Sequence, residues 1–149
     1  MEGEKPLAVT AITQQFQPES NPKVEDEALI ILEYPNTNAV IHASWNWPIG
    51  RKDMEIYGLK GAVYADNRSQ MRLRMAEGYD GFAETVFELE ARPDPYHDPF
   101  SYFRAVIRGK IAPEPFDLSS LENNLVVMEI LEAAKQSARD GKRVVLSKD

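Results

Sequence analysis

From Pro6 to Ala91 apolar and polar residues alternate with a period of two, and turn residues interrupt the alternation at short intervals. The pattern predicts about six or seven antiparallel strands. They run from Leu7 to Gln17, Glu27 to Tyr34, Ala39 to Trp47, Asp53 to Tyr57, Ala62 to Asp66, Met71 to Ala76 and Phe82 to Ala91. Pro35-Asn36-Thr37-Asn38 is read as a tight turn, because proline fixes one dihedral and asparagine tolerates the left-handed region; Gly58-Leu59-Lys60-Gly61 is a second. Beyond Ala91 the period lengthens. Asp98 and Pro99 supply an N-cap and a first helical residue, Phe100, Phe103 and Ile107 share a face, and Gly109 can end the helix. Ser119-Ser120-Leu121-Glu122 reads as a capping box, Gly141 as the matching stop, and Leu121, Leu125, Met128, Leu131, Ala134 and Ala138 as the buried stripe between them. A short strand from Arg143 to Leu146 closes the chain. Strands first and helices afterwards predict an α+β fold, an open-faced and mostly antiparallel sheet with two helices packed on one face.

In Ala28-Leu29-Ile30-Ile31-Leu32 the apolar character is continuous, so the second strand is expected to be buried on both sides. Two helices cover only one of those sides. The third strand places Ala39, Ile41, Ala43, Trp45 and Trp47 on one face and Val40, His42, Ser44 and Asn46 on the other. The open face is therefore expected to meet another surface: a second subunit, a further domain or a ligand.

At 149 residues and 43% hydrophobic composition the chain has the size of one domain, residues 1–149, with enough apolar material for a core. No apolar stretch approaches the roughly 18 residues of a membrane span, and Met1-Glu2-Gly3-Glu4-Lys5-Pro6 lacks the apolar run of a signal peptide, so a cytoplasmic protein without a membrane partner is expected. Twenty-four acidic residues against 17 basic ones give a net charge of −7, which repels a phosphate backbone and argues against nucleic acid. With no cysteine there is neither a disulfide framework nor a thiolate site, and two histidines cannot build a His-rich metal centre, so no metal is expected. Neither G-x-G-x-x-G nor G-x-x-x-x-G-K-[ST] occurs, and no stretch has the shape of a βαβ nucleotide-binding unit.

The candidate chemistry is sparse. Trp45 and Trp47, one residue apart on a strand, are expected to point to the same side and form an apolar plate that stacks on a sugar ring or on another subunit. Arg51 and Lys52 follow in a turn where they can hold a carboxylate, a phosphate or an anionic sugar. His97, in the rigid Pro93-Asp94-Pro95-Tyr96-His97-Asp98-Pro99 loop, is placed to act as a general acid or base, or as an ordinary loop histidine. His42 is read as buried and hydrogen-bonded. The carboxylates of Glu25-Asp26-Glu27, Asp53 and Glu55 are too common a feature to assign acid/base work.

Glu25-Asp26-Glu27-Ala28 with Ile30 to Tyr34, Ala43-Ser44-Trp45-Asn46-Trp47-Pro48, Arg51 to Gly61 and Tyr64-Ala65-Asp66-Asn67 together resemble the C-terminal domain of the Gfo/Idh/MocA oxidoreductases, the glucose-fructose oxidoreductase and inositol dehydrogenase family. Glu122-Asn123-Asn124, Glu129 to Ala134, Ser137 and Gly141-Lys142-Arg143-Val144 are similar to the closing helix and strand of that family. The resemblance implies a dihydrodipicolinate reductase-like C-terminal fold that completes a substrate pocket and builds oligomers, beside an N-terminal Rossmann domain that binds NAD(P). It also implies a catalytic lysine in a Glu-Lys-Pro motif of the Rossmann domain, followed by an Asp-x-x-x-His helix. Glu4-Lys5-Pro6 spells the first motif at the entrance of a sheet strand and is read as coincidence.

The expectation from sequence is thus the substrate-side and oligomerisation half of an NAD(P)-dependent oxidoreductase acting on a sugar, polyol or related hydroxyl compound. By itself it is expected to bind no cofactor, to hold no catalytic residue and to be inactive. Trp45, Trp47, Arg51 and His97 are the substrate-binding candidates, and a homo-oligomer through the open sheet face is the expected partner. The rival is a stand-alone dimerisation or binding module without catalytic activity. A hydrolase using paired carboxylates has no supporting motif.

Overall fold

The elements follow in the order β1 (Ala8–Gln14), β2 (Glu27–Glu33), β3 (Asn38–Ser44), β4 (Met54–Tyr57), β5 (Gly61–Ala65), β6 (Gln70–Glu77), β7 (Gly81–Glu88), α1 (Pro99–Ile107), α2 (Leu121–Asp140) and β8 (Val144–Val145). They are those of a computed structural model, which describes residues 4–147. These residues fall into two compact units, one built from residues up to 48 and from 112 onward, the other from residues 49–111. Every strand pairing is antiparallel, and the class is α+β. The strands form two sheets of four, in the orders β3-β2-β1-β8 and β4-β5-β6-β7, where the sequence predicts one. Alternation within a strand fixes its faces but carries no information about which neighbour it pairs with.

In the first unit the register sets Val9 opposite Leu32 and Ala11 opposite Ile30, so that these four side chains share the face covered by α2. Ala133 and Ala134 of α2 meet them, and Tyr34, Ala39, Ile130, Ala138, Val144 and Leu146 close the margins. Small residues let the helix lie close enough for the Ser137 hydroxyl to accept the Ala11 N–H at 2.9 Å. Since β8 pairs only with Ala8 and Val9, that amide lies beyond the end of the ladder. At the far end of the sheet Arg143 donates two hydrogen bonds to the Glu33 carboxylate, at 2.7 and 2.8 Å, and clips the chain after α2 to the end of β2.

The helix is rotated from the predicted orientation. Ala134 is buried and Ala138 borders the core, but Leu121, Leu125 and Met128 lie on the side away from the sheet, 71%, 61% and 62% exposed, with Leu131 exposed as well. Its N-cap is Ser120, which accepts Asn123 N–H at 3.2 Å; Glu122 adds a negative charge to the first turn without completing a box. Gly141 ends it in the left-handed conformation, φ 63°. The outward face of the sheet carries no element of this unit: Leu29 and Ile31 are half-buried, and Ile12, Val40 and Val145 are exposed.

In the second unit the predicted turn at Gly58 is closed by Gly58 N–H, which reaches the Gly61 carbonyl at 2.8 Å. A Cβ at Gly61 would run into the Arg74 carbonyl of β6, so the β5–β6 pairing requires glycine there. Asp98 caps α1 as expected, accepting the N–H groups of Phe100 and Ser101 at 2.9 Å each. Phe100, Phe103 and Ile107 are exposed, and within the first unit α2 covers the sheet face.

Candidate functional site

Asp26 is the buried polar centre of the first unit's sheet end, 3% exposed. One carboxylate oxygen accepts Phe16 N–H at 2.8 Å and the Asn46 amide at 2.9 Å, and the other accepts Gln17 N–H at 2.8 Å. Its backbone carbonyl accepts Trp45 N–H at 2.9 Å. These bonds explain two strand ends that alternation misplaces. The amides of Phe16 and Gln17 leave β1 for the carboxylate, so β1 stops at Gln14; Asn46 N–H turns back to Ser44 Oγ at 3.0 Å, so β3 stops at Ser44. The hydrogen bonds hold the Asp26 carboxyl below the usual carboxylate range, the Phe16 amide first among them.

Glu27 takes the other side of the strand. Its carboxylate meets His42 Nε2 at 2.5 Å and is held low by the Ser44 hydroxyl and by His42. His42 is hydrogen-bonded, as predicted, but lies exposed on the outward face. The Trp47 ring stands edge-on to it, centroids 4.9 Å apart at 88°. The two tryptophans therefore do not form the predicted plate on one strand face. β3 has ended before either is reached; Trp47 packs on the face of His42, and Trp45 is 70% exposed.

The remaining candidates lie in the second unit. Arg51 forks onto Asp53 with hydrogen bonds of 2.9 and 2.6 Å, an arrangement that already supplies the carboxylate the guanidinium was expected to seek. His97 stands between two carboxylates, Nε2 at 2.8 Å from Asp98 and Nδ1 at 3.5 Å from Asp94. Trp45 and Trp47 thus share one short segment, whereas Arg51 and His97 each have their own acidic partner. Lys5, in the Glu4-Lys5-Pro6 coincidence, pairs with Glu129 of α2 at 2.9 Å.

Sequence reasoning missed a charged and aromatic face on the second sheet. Arg72 forks onto Asp66 at 2.6 Å through both nitrogens, Arg74 bonds Glu84 at 2.6 Å, and both guanidinium groups lie over the Tyr64 ring, 4.8 and 5.1 Å from its centroid. Arg72-x-Arg74 in a period-two strand was the visible signal. The carboxylates opposite depend on a register that alternation does not give. Tyr57 donates to Glu55 at 2.6 Å, and that bond raises its phenol above the ordinary value.

Among the described residues no group of three His, Cys, Asp or Glu side chains is placed to hold a metal. The described residues also offer no helix-start site for the pyrophosphate of a dinucleotide. Binding its pyrophosphate at a helix start calls for a parallel strand leading to free N–H groups. Here all pairings are antiparallel, and the starts of α1 and α2 are closed by Asp98 and Ser120. No helix among the described residues is long and apolar enough to cross a membrane.

No curated protein matches the chain. The GFO/IDH/MocA C-terminal domain family matches residues 1–64. Solved structures extend the likeness further along the chain. A candidate oxidoreductase from Thermotoga maritima superposes on 97% of this chain and 42% of its own, at 22% identity and a TM-score of 0.67. A candidate myo-inositol dehydrogenase from Sinorhizobium meliloti 1021 does so on 97% and 45%, at 24% identity and 0.63. GenD2 from gentamicin A biosynthesis, solved in complex with NAD, does so on 97% and 42%, at 19% identity and 0.50. The chain spans less than half the length of the solved proteins it matches. At these identities the likeness is one of fold. The resemblance read from the motifs is met by the family match over residues 1–64, and the fold along nearly the whole chain is similar to that of the corresponding part of these solved oxidoreductases.

Proposed function

We propose that the chain is the substrate-side domain of an NAD(P)-dependent oxidoreductase acting on a sugar, polyol or related hydroxyl compound. The family match over residues 1–64 carries this reading, supported by relatives whose names include a candidate myo-inositol dehydrogenase and an NAD complex. The hydride would pass between the nicotinamide and a substrate carbon, with cofactor and proton-transfer groups held outside this chain. Trp45 would stack on the apolar face of the substrate. Trp47 would be a further contact in the first unit; Arg51 and His97 are candidates within the second unit taken by itself, Arg51 by exchanging Asp53 for an anionic group. A second copy would cover an open sheet face, and the protein would work in the cytoplasm.

Titration of the chain with NADH and NADPH, followed by tryptophan quenching and calorimetry, is expected to give no saturable binding. Saturable binding at micromolar cofactor would overturn the division of labour. A panel of polyols and sugars, followed through the two indole N–H signals by NMR, separates the substrate role from that of a dimerisation module. Polyols are expected to shift both signals, and a chain whose indoles no polyol moves is the module.

A further inference from the structure

We propose that Asp26 and Glu27 are the positioning residues of the Trp45–Trp47 segment. Adjacent side chains of an extended strand point to opposite sides, so one acidic dipeptide grips the segment from both. From the buried side Asp26 takes the Trp45 N–H through its carbonyl and the Asn46 amide through its carboxylate, at 2.9 Å each. On the outward side Glu27 takes His42 at 2.5 Å and the Ser44 hydroxyl, and His42 supports the Trp47 ring at 4.9 Å. Apart from Ala43, every residue from His42 to Trp47 is held by the pair directly or through one side chain.

The same carboxylate of Asp26 fixes Phe16 and Gln17, so the chain leaving β1 and the chain leaving β3 are tied to one buried group. Such a carboxylate is a poor proton donor or acceptor, because its oxygens are already committed to N–H groups. Its chemistry is placement. The proposal rests on the substrate reading only where it gives the two indoles a ligand; the placement itself is tested without one.

The chain has two tryptophans, both in this segment, so tryptophan emission and the indole N–H signals report on it alone. Asp26→Asn is expected to shift emission to the red, increase acrylamide quenching and move both indole signals while the far-ultraviolet circular dichroism is retained. Glu27→Gln is expected to move the Trp47 signal through His42 and to leave that of Trp45 in place. Glu25→Gln, at an exposed neighbour, leaves both. Should Asp26→Asn fail to fold, Asn46→Ala removes the side-chain link to the segment and spares the bonds to Phe16 and Gln17 and the backbone bond to Trp45. Native indole signals in a folded Asp26→Asn or Asn46→Ala chain would overturn the proposal. Polyols that leave the wild-type indoles unmoved would defeat the substrate reading and leave this result standing.

Discussion

The Ala11 amide lies past the reach of β8, and the Ser137 hydroxyl is what satisfies it. Both groups are buried, so Ser137→Ala leaves a donor without water or partner and is expected to lower stability by about 1–3 kcal/mol. The urea midpoint measures it, and an unchanged midpoint would mean that the amide finds another acceptor. Charge at a single residue sets the acid response. Asp26 and Glu27 are held below the ordinary carboxylate values of about 4, so their contribution is complete above that range and is lost as the pH falls through the lower values of the folded state. Urea midpoints taken from pH 7 down to pH 3 are expected to fall at the acid end. In Asp26→Asn that fall is expected to be shallower, because one of the two groups no longer titrates.

At the scale of elements, α2 carries apolar residues on both sides, and the sheet has selected the small ones. Ala134→Leu puts three extra carbons against Val9 and Leu32 and is expected to cost about 1–3 kcal/mol through overpacking. Leu125→Ala, on the exposed side, is expected to stay within about 0.5 kcal/mol. Paired chemical denaturation checks both, and the reverse order would mean that the leucine side is covered. This choice of side explains why the helix was legible and its orientation was not. Caps and the 3.6-residue period are local, so the Asp98 and Gly141 signals mark real ends. A stripe of leucines and a stripe of alanines satisfy the period equally, and only the distance to the strands decides between them. The strands behave likewise. Their existence was readable from alternation, while the stops at Gln14 and Ser44 depend on Asp26, distant in sequence from Trp45. Of the site, Trp45, Trp47, Arg51 and His97 were visible as residue types. The Arg51–Asp53 and His97–Asp98 pairs are near neighbours that sequence could have supplied, but the grip of Asp26 and Glu27 needs the β2–β3 register.

For the whole molecule the deciding quantity is apolar surface without a cover. Ile12, Val40 and Val145 open on the outward face of the first sheet, and Leu121, Leu125 and Met128 on the outer side of α2. The sheet face is the more continuous of the two, because exposed Ile12, Val40 and Val145 lie on strands of one sheet with half-buried Leu29 and Ile31, and such a face is one that a two-fold related copy can match with itself. A net charge of −7 on each copy opposes that pairing at long range, and salt screens the repulsion while leaving the apolar contact intact. Sedimentation is therefore expected to show self-association that strengthens with salt. Val40→Lys places a charge in the middle of the face and is expected to return the chain to monomer, whereas Leu121→Lys, on the helix, leaves the association as it was. A Val40→Lys chain that still associates, together with a Leu121→Lys chain that does not, would move the contact from the sheet to the helix.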